Sequence, residues 1–596
     1  MYTYEKPDNL IDLFERTVNK FPERNLFLVN TEKNPLEPMT YREVSDRIDN
    51  LRACMAGIGV KKNDIVGIIS KNRPEWVIIE FAALGCGATF VPMYEKELYS
   101  TWKYIIRDTG LKVLFVADDE IYDQVSGLVD EIPTLEKIFI IDSEQENSLS
   151  ALEKTGKGNT VAPHRADPYD TAFIIYTSGT TGEPKGVELT HGNLTYCSRS
   201  GYKIYPELNE NLVALTILPW AHSYALSGEL HNWLQFGGSM GFVEDVTTLM
   251  EDLQRVRPHF LICVPRLFNK IYDGIHAKMD EAGGLKKKLF AAACSTAKLK
   301  RELAQQGKSS ILTNFRFFLL DRLVFSKIRK GFGNRLKGSL TASAATNVEI
   351  ANFYYDLGIP IYDCYGLSET SPAVTMNCKA AHRLGSVGRV LEGQTVAIDT
   401  SVVEDGADDG EIIVYGPNIM KGYYNKPEET AKVIQPDGGF RTGDRGRFDE
   451  DGYLYITGRI KEQYKLENGK YVFPAGIEEE IRLLPSIANA MIYGEGRPYN
   501  VCLVYPDFEA LNKQILKQGL PTSPEELVRV PEFTDMLEKQ ITEFLKKTYG
   551  GYEIPKKYHF LCEDFSLDNG MLTQTMKLKR REVISFYEKE INALYA

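Results

Sequence analysis

The chain has 596 residues, more than a single hydrophobic core of roughly 250–300 residues can hold, so it reads as several domain-sized units. With 26% charged and 43% hydrophobic residues, its composition excludes a disordered or fibrous chain. The net charge of −12 argues against a general nucleic-acid binder, and nine scattered cysteines without a CxxC pair argue against a disulfide frame or zinc site and for a reducing, cytoplasmic compartment.

The N-terminal MYTYEKPDNLIDLFERT lacks the basic and then apolar pattern of a secretory signal, and no window of about 18 uninterrupted apolar residues is present, so a soluble or peripheral protein is expected. Helical periodicity over 41–55 and 75–84 alternates with short apolar runs at 65–69, 112–116, 137–141 and 171–175. This alternation predicts parallel sheets covered by helices, an α/β architecture. Between 286 and 337 lie 14 Lys and Arg against only Glu302 and Asp321, and the run 311–325 within it is apolar and basic together. After Gly410 the chain turns to Gly-rich short strands, with DEDG at 449–452 as a hairpin turn. From Pro474 a compact α+β pattern returns, with helices over 475–484 and 531–549, and a domain boundary falls near Gly458.

The stretch YTSGTTGEPKG, 176–186, follows directly on the apolar run 172–175. A loop of small residues is by itself only a surface connection. Here the freed backbone N–H groups of Gly179, Gly182 and Gly186, the hydroxyls of Thr177, Ser178, Thr180 and Thr181, and the cation of Lys185 suit an oxyanion cluster. The P-loop of nucleotide hydrolases is excluded: counted from Gly179, its second glycine falls on Pro184, and Lys185 is followed by Gly186 rather than Ser or Thr.

The same stretch resembles the signature of the adenylate-forming (AMP-binding) enzymes. TYREV at 40–44, FAALGCGATFVPMY at 81–94, LPWAHSYA at 218–225, YGLSET at 365–370, GEIIVYGPNIMKGYYNKPEET at 410–430, FRTGD at 440–444, GRIKE at 458–462 and LTQTMKLKR at 572–580 resemble the family's successive motifs in order. The resemblance implies a large N-terminal AMP-binding domain over 1–458, built of layered α/β subdomains plus a β-rich subdomain. It further implies a hinge over 459–463 at Lys461 and a smaller mobile α+β domain over 464–596.

The chemistry implied is activation of a carboxylate by ATP as a mixed anhydride with AMP, then attack by a thiol. By resemblance, Thr177, Ser178, Gly179, Thr180, Thr181, Gly182 and Lys185 surround the phosphates, and Glu369 with Thr177 holds Mg²⁺. Tyr365 stacks on adenine, with Ala344, Gly366 and Ser368 also at the nucleotide. Asp444 takes the ribose hydroxyls, and Arg459 lies near ribose and phosphate. Lys577 bridges carboxylate and α-phosphate, with Lys579, Arg580 and Arg581 read as a solvated basic face beside it. His222 is the carboxylate-side histidine, and Trp220 and Trp233 are candidates for the acyl tunnel.

VPMYEKEL, YKLENGKYVFPAGIEEEI and LTQTMKLKR resemble the long-chain fatty acyl-CoA synthetase branch. The implied partners are a fatty acid, ATP and CoA, with peripheral membrane contact through 286–337. No carrier-protein module follows, which favours a standalone CoA ligase. The alternatives are a fatty acyl-AMP ligase serving a carrier protein, a CoA ligase for medium-chain or aryl acids, and a non-catalytic binder. One departure stands out: ASAAT at 342–346 replaces the family's SGGAP or SGAAP, with Ser343 for a glycine and Thr346 for a proline.

Overall fold

The computed structural model describes residues 7–31, 34, 36–177, 183–245, 247–342, 346–402, 408–460, 462–567, 569–573 and 578–596. The expected site residues Ser178, Gly179, Thr180, Thr181, Gly182, Ala344, Lys461 and Lys577 lie outside the described residues. Two compact units are formed: 1–397 with 413–442 and 448–455, and 398–412 with 443–447 and 456–596.

The first unit contains two large sheets. In one, the spatial order is Gly422–Tyr423, Lys185–Thr190, Thr171–Thr177, Thr89–Met93, Ile65–Ile69, Val113–Val116, Lys137–Ile140. The last five strands pair in parallel. Ile65–Ile69 is buried at every position, as a parallel strand covered on both faces must be. The helix Pro74–Gly85 that covers it is apolar around most of its circumference, apart from Glu75 and Glu80, and correspondingly buried, and Trp76, Phe90 and Phe173 meet edge to face between helix and sheet. The helix Tyr41–Gly57 begins where the motif TYREV puts Thr40 and Glu43 three apart: the Thr40 hydroxyl accepts from the Glu43 N–H, and the Glu43 carboxylate accepts from the Thr40 N–H.

The other sheet has nine strands, in the order Arg389–Val390, Ala373–Met376, Ile361–Gly366, Gly338–Thr341, Phe260–Cys263, Val213–Thr216, Ser239–Phe242, Asn25–Val29, Glu37–Thr40. Its six central strands are parallel, and the strands added at both edges are antiparallel. Ligands of open parallel sheets bind outside the carboxyl ends of the strands. At those ends lie 217–225 after Val213–Thr216, Ala342 and Thr346 after Gly338–Thr341, and YGLSET after the start of Ile361–Gly366. Three motifs far apart in sequence are therefore delivered to one edge by topology.

Phe440–Phe448 and Leu454–Arg459 are neighbours in a four-stranded sheet with Thr395–Asp399 and Gly410–Tyr415. The expected turn at 449–452 joins the first two of these strands, with the Gly452 N–H donating to the Asp449 carbonyl at 3.1 Å. The second unit packs Pro474–Ile481 and Pro531–Leu545 on the sheet Ile487–Tyr493, Val501–Pro506, Lys557–Phe560 around Ile477, Ile492, Val504 and Ile541. Among the described residues, no helix is long and apolar enough to cross a membrane.

Candidate active site

Thr171–Thr177 and Lys185–Thr190 form an antiparallel hairpin in which Thr177 stands opposite Lys185. The connection 178–184 thus joins strand to strand, whereas a hydrolase P-loop joins strand to helix. The Lys185 ammonium lies 2.6 Å from Glu429 Oε2 and 5.0 Å from the centre of the Tyr423 ring. Hydrogen bonds from Lys185 and then Lys432 hold the Glu429 carboxyl down to about 2. Tyr423, on the short strand paired to the return strand of the hairpin, donates its hydroxyl to Glu369 Oε1 at 2.9 Å. Burial, followed by the charge of Glu369, pushes the Tyr423 phenol well up, so the hydroxyl keeps its proton and acts as donor.

Glu429, Lys185, Tyr423 and Glu369 therefore form one continuous polar chain. It connects the cation at the mouth of the 178–184 connection to the expected metal carboxylate. Tyr423 and Glu429 carried no role in the sequence reading, although both fall inside the motif stretch GYYNKPEET. Their position within a motif was the available signal.

YGLSET begins on the last two residues of Ile361–Gly366. At Gly366 a Cβ would stand 1.7 Å from the Pro372 carbonyl oxygen, so the close return of the chain admits only glycine. The single helical turn Ser368–Thr370 carries Glu369, whose carbonyl accepts from the Met420 N–H at 2.8 Å. Ser368 meets Ser223 of LPWAHSYA hydroxyl to hydroxyl at 3.0 Å, and the Ser227 hydroxyl donates to the Ser371 carbonyl at 2.9 Å. The two motifs are thus stitched together by small hydroxyl side chains.

Thr346, the departure from proline, is put to use. Its hydroxyl and that of Thr341 both donate to Asp363 Oδ1, two residues before the buried Tyr365. Burial, opposed by these two hydroxyls, raises the Asp363 carboxyl to about 6. Proline at 346 would leave this buried oxygen with one donor fewer.

His222 caps the short helix Ser223–Ala225, its Nδ1 accepting from the Tyr224 N–H at 3.2 Å, so the neutral ring carries its proton on Nε2. Trp220 and Trp233 are wholly buried rings. The Trp220 indole N–H donates to Glu229 Oε2 at 3.1 Å, and Trp76 meets Trp220 edge to face. Glu229 lies on a turn of π-helix, Leu226–His231, and burial pushes its carboxyl well above the usual range. On the same turn, His231 Nε2 lies 2.8 Å from Glu80 Oε1 in a pair with no solvent exposure.

In the second unit, Asp444 and Arg459 occupy adjacent strands and pair directly, Nε to Oδ1 at 2.8 Å, with Asp444 almost fully buried. The C-terminal motif is fixed on both sides of its tip: Leu572 bridges to Leu578, and the Lys579 N–H donates to the Met571 carbonyl at 2.8 Å. Arg580 corrects the expectation of a solvated basic face. It forms a bidentate pair with buried Glu478, both bonds 2.7 Å, and also donates to the Ile492 carbonyl at 3.1 Å. The reason is tertiary: Glu478, on the helix Pro474–Ile481, needs a cation once it is buried, and the motif supplies it.

Among the described residues, no group of three or more His, Cys, Asp and Glu could hold a metal unaided. One carboxylate, Glu369, and one hydroxyl, Thr177, fit a hard cation shared with phosphate oxygens. A polar cavity of about 210 Å³ opens at the other end of the hairpin, where Thr89 and Thr171 begin their strands, away from the 178–184 connection.

Residues 14–424 match the family model of the AMP-binding enzyme, and 461–596 match that of the AMP-binding enzyme C-terminal domain. A long-chain-fatty-acid–CoA ligase of Mycobacterium bovis is 32% identical over 94% of this chain and 92% of its own. Long-chain-fatty-acid–CoA ligase 1 of Cavia porcellus is 29% identical over 100% of this chain and 88% of its own. Among solved structures, the adenylation domain of a carboxylate reductase from Mycobacterium chelonae shares the fold with a TM-score of 0.79 at 21% identity, over 99% of this chain and 92% of that one. The chain belongs to the AMP-binding enzymes, on the branch of the long-chain-fatty-acid–CoA ligases.

Proposed function

We propose that this protein joins a long-chain fatty acid to CoA at the expense of ATP, through an acyl-AMP intermediate. The observation that carries the reading is the polar chain from Lys185 through Tyr423 to Glu369, which aligns a cation and an acid beside the 178–184 connection. The relatives support the acid and the acceptor: the M. bovis and C. porcellus proteins bear the name long-chain-fatty-acid–CoA ligase.

A carboxylate oxygen attacks the α-phosphorus, the bond from the α-phosphorus to the α,β-bridging oxygen breaks, and pyrophosphate leaves. Thr177, Ser178, Gly179, Thr180, Thr181, Gly182 and Lys185 surround the departing β- and γ-phosphates, supplying positive charge where anion approaches anion. Glu369 and Thr177 would hold Mg²⁺, which would supply neutralisation of the phosphate charge. Tyr365 stacks on adenine beside Ala344, Gly366 and Ser368, while Asp444 and Arg459 take the ribose. Lys577 draws carboxylate and α-phosphate together. His222 lies on the carboxylate side, and Trp220 and Trp233 border the acyl chain.

In the second half-reaction the CoA thiol gives up its proton to solvent, its sulfur attacks the acyl carbon, the carbon–oxygen bond to AMP breaks, and AMP leaves. A hinge over 459–463 at Lys461, between a domain of 1–458 and one of 464–596, lets one site serve both steps. The nine free cysteines fit a reducing, cytoplasmic compartment, and the basic segment 286–337 fits peripheral contact with a membrane.

The test is ATP, Mg²⁺ and CoA with acids of graded chain length, following AMP and thioester. Long-chain acyl-CoA with stoichiometric AMP is expected. Adenylate without thioester reassigns the protein to carrier-dependent ligases, thioester from aryl or medium-chain acids alone reassigns the substrate, and neither product with any acid leaves a binder.

A further inference from the structure

The helix Ile311–Leu320 and the π-helical turn Asp321–Phe325 that continues it form a run rich in large apolar residues, of which only one stripe is covered. Phe317, Leu320 and Val324, three or four residues apart, pack with Phe290 and Phe325 into the core of the first unit. The rest face water: Ile311, Leu312, Phe315, Phe318, Leu319 and Leu323 are between 45% and 89% exposed. A helix covered on one side only normally carries polar residues on the other. Six large apolar side chains on adjoining turns make a contiguous patch of the kind that marks an interaction surface.

The patch is set in positive charge. Arg316 and Arg322 on the same run, Lys327 and Lys330 on the helix Ser326–Gly331 that follows it, and Lys286 and Lys288 on the neighbouring helix Gly284–Gln305, are exposed and meet no acidic side chain among the described residues. Of the two acids in 286–337, Asp321 is taken by Arg329 at 2.7 Å. A second copy of this chain would bring the same excess of cations against itself, so the charge opposes self-association through this face.

We propose that Ile311–Phe325 is a membrane-docking helix. It lies in the surface of a bilayer containing anionic lipid, with Phe315, Phe318 and their apolar neighbours among the acyl chains and Arg316 and Arg322 at the headgroups. The purpose, though not the binding itself, rests on the long-chain substrate proposed above, because such an acid resides in bilayers. The helices on either side of the docking segment are tied to the helix Val348–Leu357: Arg301 of Gly284–Gln305 pairs with Asp356 at 3.0 Å, and Arg329 of Ser326–Gly331 donates to the Leu357 carbonyl at 3.0 Å.

The test is flotation of the full chain with phosphatidylcholine vesicles, with and without phosphatidylglycerol. It compares wild type, Phe315→Ser/Phe318→Ser and Arg316→Glu/Arg322→Glu. Wild type floats with the anionic vesicles and not with neutral ones, and each double variant loses at least about tenfold in bound fraction. Unchanged thermal melting and unchanged CoA ligation of a soluble medium-chain acid show that the variants are folded. Flotation does not depend on turnover, so an inactive protein that still floats overturns the ligase reading and leaves this one standing. The docking proposal is overturned by wild type that stays in solution, by equal flotation on neutral vesicles, by variants that float like wild type, or by sedimentation showing a dimer that Phe315→Ser/Phe318→Ser abolishes.

Discussion

Tyr423→Phe removes one oxygen from the polar chain and leaves the ring on which Lys185 rests. The hydroxyl donates to a carboxylate at 2.9 Å, and a hydrogen bond to a charged group contributes about 1.5–3 kcal/mol. If that bond holds Glu369 in the orientation that serves the phosphates, its loss reduces the rate of adenylation by about 10- to 150-fold. The cost falls on the first half-reaction because Glu369 is assigned to the triphosphate. The assay is pyrophosphate release in a single turnover without CoA, over a Mg²⁺ titration, for wild type, Tyr423→Phe, Glu369→Gln and the double variant. The expected pattern is a slower first step with a raised Mg²⁺ requirement, and a double variant no worse than Glu369→Gln alone. An unchanged rate and Mg²⁺ dependence, or strictly additive losses, would refute the reasoning, because Tyr423 would then act independently of Glu369.

Three further outcomes are expected. Lys577→Ala abolishes acyl-AMP formation and spares thioester formation from supplied acyl-AMP, measured by following each half-reaction separately; equal loss of both removes the assigned role. Glu478→Gln leaves Arg580 without its charge partner in a buried setting and destabilises the second unit by about 3–5 kcal/mol, read by denaturant unfolding of the full chain. Glu229 has a folded-state pKa raised by burial, so its contribution to stability is present below the ordinary glutamate value and is lost as pH rises. Glu229→Gln therefore stabilises the protein at pH 7 and has little effect at pH 4, measured by melting at both pH values.

Much of this was legible because strand and motif signals are local. The run 65–69 is the strand Ile65–Ile69, and the helix expected over 41–55 extends only to Gly57. The return strand Lys185–Thr190 was missed because KGVELT follows a Gly-rich loop and offers only Val187 and Leu189 as alternating apolar positions. The remaining failures concern partners distant in sequence. Glu369 finds Tyr423 54 residues away, and Arg580 finds Glu478 102 residues away. A basic run carries no mark of which member will be buried, and a tyrosine inside a conspicuous motif shows its role only when the short strand Gly422–Tyr423 turns it toward the Glu369 carboxylate.

The central claim is that a carboxylate displaces pyrophosphate before CoA takes part. Exchange of labelled pyrophosphate into ATP, measured without CoA, tests it directly. Exchange that requires a long-chain fatty acid and Mg²⁺ is the predicted result; exchange that needs CoA, or release of orthophosphate and ADP in place of pyrophosphate and AMP, would contradict it.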